Sequence, residues 1–297
     1  MPNRQTSTSE TIIQASTGEV EMMPEAIDYM DVDIVICLDT TDSMLMGDVI
    51  EMFKEKILSF YNDLNSNVGK IFPGREISSI RMKVIGFKDL RYDALPKNPN
   101  ETWFNASNFF TIVDRCRVNQ EKVRMLEDFL DNLEISGGGD EPESSLDALA
   151  LAMNSDWRED GQHDGQHMRH MVVLMTDAPY KDLFNLMSLR EEVREDIISR
   201  GTPDDMPSTL SELSDCWNCR NLYFSKNERE HGNYFMHPSY KRLCIFAPEC
   251  DEWNEFCSGN DEFDTFEYTQ YVTLEEKDGK YQLTWDNVMD MFARSMK

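Results

Sequence analysis

Positive charge is what this sequence has least of: 29 Lys and Arg stand against 56 Asp and Glu over 297 residues, a net charge of −27. Such a surface repels phosphate backbones and anionic lipid headgroups, which argues against nucleic-acid and membrane-surface roles. It favours cations and basic partners, and it also serves simple solubility. No apolar stretch approaches the roughly 20 residues that span a bilayer. The first 26 residues, MPNRQTSTSETIIQASTGEVEMMPEA, lack the basic-then-apolar layout of a signal peptide, so a cytoplasmic location is expected. Cysteine is sparse and odd in number, seven in all. Cys37 and Cys244 lie in apolar runs, as buried thiols do, so free thiols are expected and no disulfide framework. Several catalytic signatures are missing too: there is no G-x-x-x-x-G-K-[ST] loop, no G-x-S-x-G elbow, no H-E-x-x-H helix and no EF-hand loop.

What is present alternates. Residues 1 to about 30 are polar and aperiodic and read as a flexible arm. Ile34 to Leu38 is a continuous apolar run, as in a central parallel strand covered on both faces. Met46, Ile50, Phe53, Ile57, Tyr61 and Leu64 then recur at helical spacing. IRMKVIGFKD (80–89) reads as the second strand, WFNASNFFTIV from Trp103 as an edge strand, and Val123, Leu126, Leu130 and Leu133 as a helix stripe. SGGGDEPES (136–144) is a glycine loop leading into a helix whose buried face is Leu146, Leu149, Ala150 and Met153. HMVVLMTDAP, RLCIFAP from Arg242 and a closing helix with Trp285, Val288, Phe292 and Met296 complete the pattern. Strands alternating with helices predict one α/β domain over 31–297: a mostly parallel sheet between helices, with a loop-rich insertion at about 181–240.

Within that frame DVDIVICLDTTDSMLMGDV (31–49) stands out, because five consecutive oxygen-bearing side chains, Asp39 to Ser43, sit where a strand meets a helix. An N-capping turn explains them, and so does a metal site. In open α/β sheets ligands collect beyond the carboxyl ends of the strands. Asp39, Thr41 and Ser43, the loop ending in Asp140, and Asp177 all fall at such ends. An all-oxygen set of this kind suits a hard cation such as Mg²⁺.

LDTTDSM resembles the first metal-binding motif of von Willebrand factor A domains, Asp-x-Ser/Thr-x-Ser, with Asp39, Thr41 and Ser43 in the ligand places. GFKDLRYD (86–93) is similar to that family's second-strand signature, SGGGDEPE to the glycine loop of many intracellular members, and VVLMTDAP carries its last ligand as Asp177. The stretch MPSTLSELSDCW (206–217) followed by RLCIFAPECDEW looks like a bacterial branch of the family. The resemblance implies a three-layer Rossmann-like fold with a metal-ion-dependent adhesion site. That site would hold Mg²⁺ (or Mn²⁺ or Ca²⁺) through Asp39, Thr41, Ser43, Asp140 and Asp177, with one position open to an Asp or Glu of a protein partner. It implies a protein-binding module, an adaptor or assembly factor, and no enzyme. Two positions depart from the family: Asp42 stands where Gly is common, and Asp140 where many members have Thr. Asp89 reads as a second-layer group that bonds loop amides near the site. Cys216-Trp-Asn-Cys219 with His231, His237, Cys250 or Cys257 is an incomplete zinc pattern, and packed thiols are the alternative. Trp217 is expected to pack on the domain, and GNDEFDTFEY (259–268) to be a solvated acidic loop. The enzymatic rival is a metal-dependent phosphohydrolase on a similar sheet. In an aspartyl phosphotransferase a second Asp would stand two residues beyond Asp39, where this chain has Thr41.

Overall fold

The computed structural model describes residues 27–41, 47–93, 102–137, 142–158, 167–218, 236, 239–277 and 280–297. Strands β1 (Asp28–Asp39), β2 (Arg75–Phe87), β3 (Phe104–Ala106), β4 (Phe110–Asp114), β5 (Arg117–Val118), β6 (His167–Met175), β7 (Lys241–Ala247) and β8 (Thr269–Thr273) form one sheet. Its order is β5-β4-β2-β1-β6-β7-β8, with β3 also on β2. β2, β1, β6, β7 and β8 run parallel, while β3 and β4 are antiparallel to β2. A two-stranded hairpin, β9 (Glu275–Lys277) with β10 (Lys280–Gln282), stands apart. Counting only the longer strands, the order is 3-2-1-4-5-6, the doubly wound arrangement in which strand order reverses between β1 and β6. That reversal opens a crevice at the strand ends and so decides where a ligand can sit.

Helices cover both faces, as the alternation predicts. On one side lie α1 (Gly47–Ile71), α3 (Gln120–Asp131) and α8 (Trp285–Ser295). Their Ile57, Phe60, Leu64, Leu126 and Phe292 pack on Val32, Ile34, Ile36 and Leu38 of β1. On the other side α4 (Ser145–Met153), α5 (Glu191–Ser199), α6 (Leu210–Trp217) and α7 (Asp251–Ser258) pack Leu149, Ile197, Leu213, Trp253 and Phe256 around Val35 and Cys37. A single turn, α2 (Leu90–Asp93), follows β2. The even and odd residues of β1 thus feed two separate apolar layers, which is why its sequence reads as an unbroken hydrophobic run.

Several expectations shift. β1 and β2 start earlier, at Asp28 and Arg75, because the neighbouring strands supply ladder partners that hydropathy does not register. The segment from Trp103 divides into β3 and β4, and the outermost strand on that side is β5. α4 is buried on every side rather than on one stripe. The insertion expected to be rich in loops holds α5 and α6 among its described residues. The acidic 259–268 segment is no free loop: Phe263 and Phe266 are buried, with Phe266 stacked on Phe256 at 4.1 Å. Both α7 and β8 carry too many acidic and polar residues to signal themselves by composition. Trp217 packs on the domain as expected, its indole N–H donating to the Glu267 carbonyl at 2.8 Å. Cys37, Cys116, Cys244, Cys250 and Cys257 are free thiols, with Cys37 and Cys244 buried. No helix among the described residues is long and apolar enough to cross a membrane.

Candidate metal centre

Asp39 is the last residue of β1 and is fully buried. Its Oδ1 accepts the Thr41 amide at 3.0 Å and the Thr41 hydroxyl at 2.7 Å, an Asx turn that ends the strand. Its Oδ2 accepts the Thr176 hydroxyl at 2.8 Å from the end of β6, across the point where strand order reverses. Thr40 points the other way: its amide and hydroxyl both donate to the Phe87 carbonyl, at 2.9 and 3.0 Å, pinning β1 to β2. Asp177 follows Thr176 and is half-buried.

The loop before α4 joins from the side. Glu143 donates its amide to the Pro179 carbonyl at 2.9 Å and accepts the Lys181 amide at 2.8 Å, so the chain before α4 is clipped to the chain after β6. The clip buries the Glu143 side chain, whose Oε2 has no hydrogen-bond partner among the described residues; the Ser145 hydroxyl is in the same position. Asp89, just after β2, accepts the Arg91 amide at 2.9 Å and forms a buried ion pair with Lys181. Asp89 thus accepts an amide of the α2 turn beside the site.

The electrostatics of this corner are one-sided. Burial pushes the Glu143 carboxyl up to about 9, Asp39, Asp89 and Asp177 push the same way, and Lys181 pulls back only in part. Burial also raises Asp39 to about 6, against the bonds from Thr41 and Thr176. Crowded carboxylates in a dry corner are unfavourable without a compensating cation. The groups present fit a hard divalent ion on two counts: every donor is oxygen, and a buried carboxylate oxygen has a free coordination position. Asp39 Oδ2, with one donor, also keeps a lone pair, whereas Oδ1 is saturated by two.

Of the residues predicted from the sequence, Asp39, Thr41 and Asp177 come together here; Ser43, Asp140 and Asp42 lie outside the described residues. So do Cys219, His231 and His237 of the zinc pattern. Among the described residues no three His, Cys, Asp or Glu side chains make a metal-holding group by themselves. The fitting set is mixed carboxylate and hydroxyl. Sequence reasoning missed two participants, Glu143 and Thr176. A Pro before Glu143 and a Thr before the strand-end Asp177 were the visible signals, but neither says which side chain turns inward.

Sheet order and register define a three-layer, doubly wound α/β architecture of the Rossmann-like kind. No family model matches the chain, and no curated protein matches it. Among solved structures it is similar to the pilus adhesin SpaC of Lactobacillus rhamnosus GG, at 12% identity and TM-score 0.40, covering 90% of this chain and 30% of that one. It is similar to proximal thread matrix protein 1 of the mussel byssus, solved with a zinc-occupied MIDAS motif, at 11% identity and TM-score 0.39, covering 91% and 46%. The SpRpn10 VWA domain matches at 10% identity and TM-score 0.39, covering 89% and 93%. This chain thus spans less than half the length of the first two. The fold assignment rests on strand order and register, not on these likenesses.

Proposed function

We propose that this chain is a metal-dependent protein-binding module, a cytoplasmic adaptor or assembly factor without catalytic activity of its own. Asp39, Thr41, Asp177 and Glu143 would hold Mg²⁺ or Mn²⁺, with Ser43 and Asp140 as further ligands. The carrying observation is Glu143 Oε2, buried beside the other carboxylates at the point of strand reversal and without a partner among the described residues. A bound divalent ion supplies an open coordination position that attracts a carboxylate from a protein partner. Around it, Thr176 orients Asp39, the Pro179–Lys181 clip fixes Glu143, and Lys181 balances Asp89.

The first test is thermal unfolding under Mg²⁺ or Mn²⁺ titration. The melting temperature should rise with metal, and Asp39→Ala should abolish the rise. Glu143→Gln, which keeps shape and removes charge, should weaken the apparent metal affinity by at least about tenfold. A wild-type melting temperature indifferent to both ions overturns the metal reading. Hydrolysis of a phosphate ester that requires metal and is lost in Asp39→Ala would make the chain an enzyme instead. Affinity capture with and without chelator, on wild type and Glu143→Gln, then reads partner binding.

A further inference from the structure

A second cavity, distinct from the strand-end centre, lies between α4, the segment after β6, the start of α6 and the α7 end of the acidic loop. It measures about 430 Å³. Its walls include the buried side chains of Leu183 and Phe263 and the half-buried ring of Tyr180. Its rim carries three exposed carboxylates, Asp182, Glu255 and Glu262. None of the described residues that line it is Lys, Arg or His. The Arg91 guanidinium reaches the Asp182 carbonyl at 3.4 Å and rests over the Phe184 ring.

The volume is ordinary for a pocket that takes one side chain and its flanking backbone. The chemistry of walls and rim is that of a site for a cation on an apolar stem. The aliphatic part of an arginine or lysine packs on Leu183 and Phe263. Its charged head meets the carboxylates and can lie over an aromatic face. The same carboxylates bear on Tyr180: burial raises its hydroxyl pKa, and Glu255, Glu252 and Asp182 raise it further. Tyr180 is held rigidly, edge-on to Trp253 at 5.0 Å and to Phe256 at 6.0 Å, so the wall is preformed. The cavity also adjoins the metal centre through the backbone, since Tyr180 pairs with Glu143 across the clip.

We infer that this cavity is a docking pocket for an arginine or lysine side chain presented by a protein partner. An anionic ligand is opposed by the three carboxylates, and a neutral apolar one leaves them without a counter-charge. The pocket stands whether or not the strand-end centre holds a metal. A partner that engages both would present a basic side chain beside an acidic one, a pattern that orients it on the surface.

The probe is the blocked peptide acetyl-Gly-Arg-Gly-amide, titrated into the whole chain at near-physiological salt and followed by amide chemical shifts. Acetyl-Gly-Gln-Gly-amide is the neutral control. The arginine peptide should give saturable shifts centred on Leu183 and Phe263, and the glutamine peptide none. The exposed triple variant Asp182→Asn, Glu255→Gln, Glu262→Gln should lose at least about tenfold in affinity. A matched variant on α3, Glu121→Gln, Asp128→Asn, Asp131→Asn, removes the same charge elsewhere and should bind as wild type. Equal loss in the two triple variants, unchanged binding in the pocket variant, or no saturable binding in the wild type each overturns the proposal.

Discussion

At the residue scale the molecule places ionisable groups in the dry interior with opposite consequences. Glu143 and Asp39 carry raised pKa values because burial and neighbouring carboxylates disfavour their charge. His170 is the reverse case. It is buried against the Trp157 ring, 5.2 Å between centroids, with neither ring nitrogen hydrogen-bonded among the described residues. Burial lowers its pKa to about 4; Asp33 and the Arg158 backbone pull the other way, and the Arg158 and Arg81 guanidiniums lower it further. The sign follows from linkage. Above pH 6.5 the ring is neutral in both folded and unfolded chains and contributes nothing. Between about 6.5 and 4 the unfolded chain takes up a proton that the folded chain refuses, so stability falls as pH falls, by at most about 3 kcal/mol. Asp39 and Glu143 act with opposite sign in that window, so wild type must be compared with a variant. His170→Phe keeps the aromatic stack and removes the titration. The stability difference between variant and wild type, from urea unfolding, should move in favour of the variant between pH 7 and pH 5. A difference independent of pH would show that His170 does not titrate across folding.

At the scale of elements, the amino-terminal half of the sheet is held by charge, in contrast with its apolar middle. Asp33 on β1 faces Arg81 on β2 and His170 on β6 in a single row of the sheet. Its carboxylate accepts Arg81 Nε at 3.0 Å, Arg158 Nε at 2.6 Å and the Arg158 amide at 2.8 Å. Arg158 goes on to Ser79 at 2.7 Å and to the Val32 carbonyl at 3.0 Å. The two guanidiniums hold the Asp33 carboxyl below the usual range although it is fully buried. A buried pair of this kind adds little against an apolar replacement of the whole network, but removing one partner strands the others. Asp33→Ala should therefore cost about 3–5 kcal/mol, read by chemical denaturation. Loss of less than about 1 kcal/mol would place Arg81 and Arg158 in water rather than in the core. The same row explains why β1 begins before its apolar run: Asp31 and Asp33 are interior positions whose partners come from β2 and from Arg158 beyond α4.

At the scale of the whole molecule, the dominant electrostatic property is a net charge of −27. Self-repulsion among carboxylates lowers stability at low salt, and added salt screens it. Raising NaCl from about 0.01 M to about 1 M shortens the Debye length from about 30 to 3 Å. Over that range the metal-free chain should melt at a higher temperature, while the affinity for Mg²⁺ and for the arginine peptide should fall. A melting temperature that drops with salt would mean that surface ion pairs outweigh the repulsion.

The alternation of apolar strands and amphipathic helices, and the all-oxygen residues at two strand ends, are local properties, so the sequence by itself determined a helix-covered parallel sheet and pointed to Asp39, Thr41 and Asp177 at its carboxyl edge. β8, α7 and the inward turn of Glu143 were not legible. Their burial comes from partners distant in the chain: β7 pairs with β8, Phe256 with Phe266, and Pro179 with the Glu143 amide. Only the tertiary structure decided which acidic residues are buried and which stay in water. A carboxylate looks the same in either place until long-range packing removes the solvent around it.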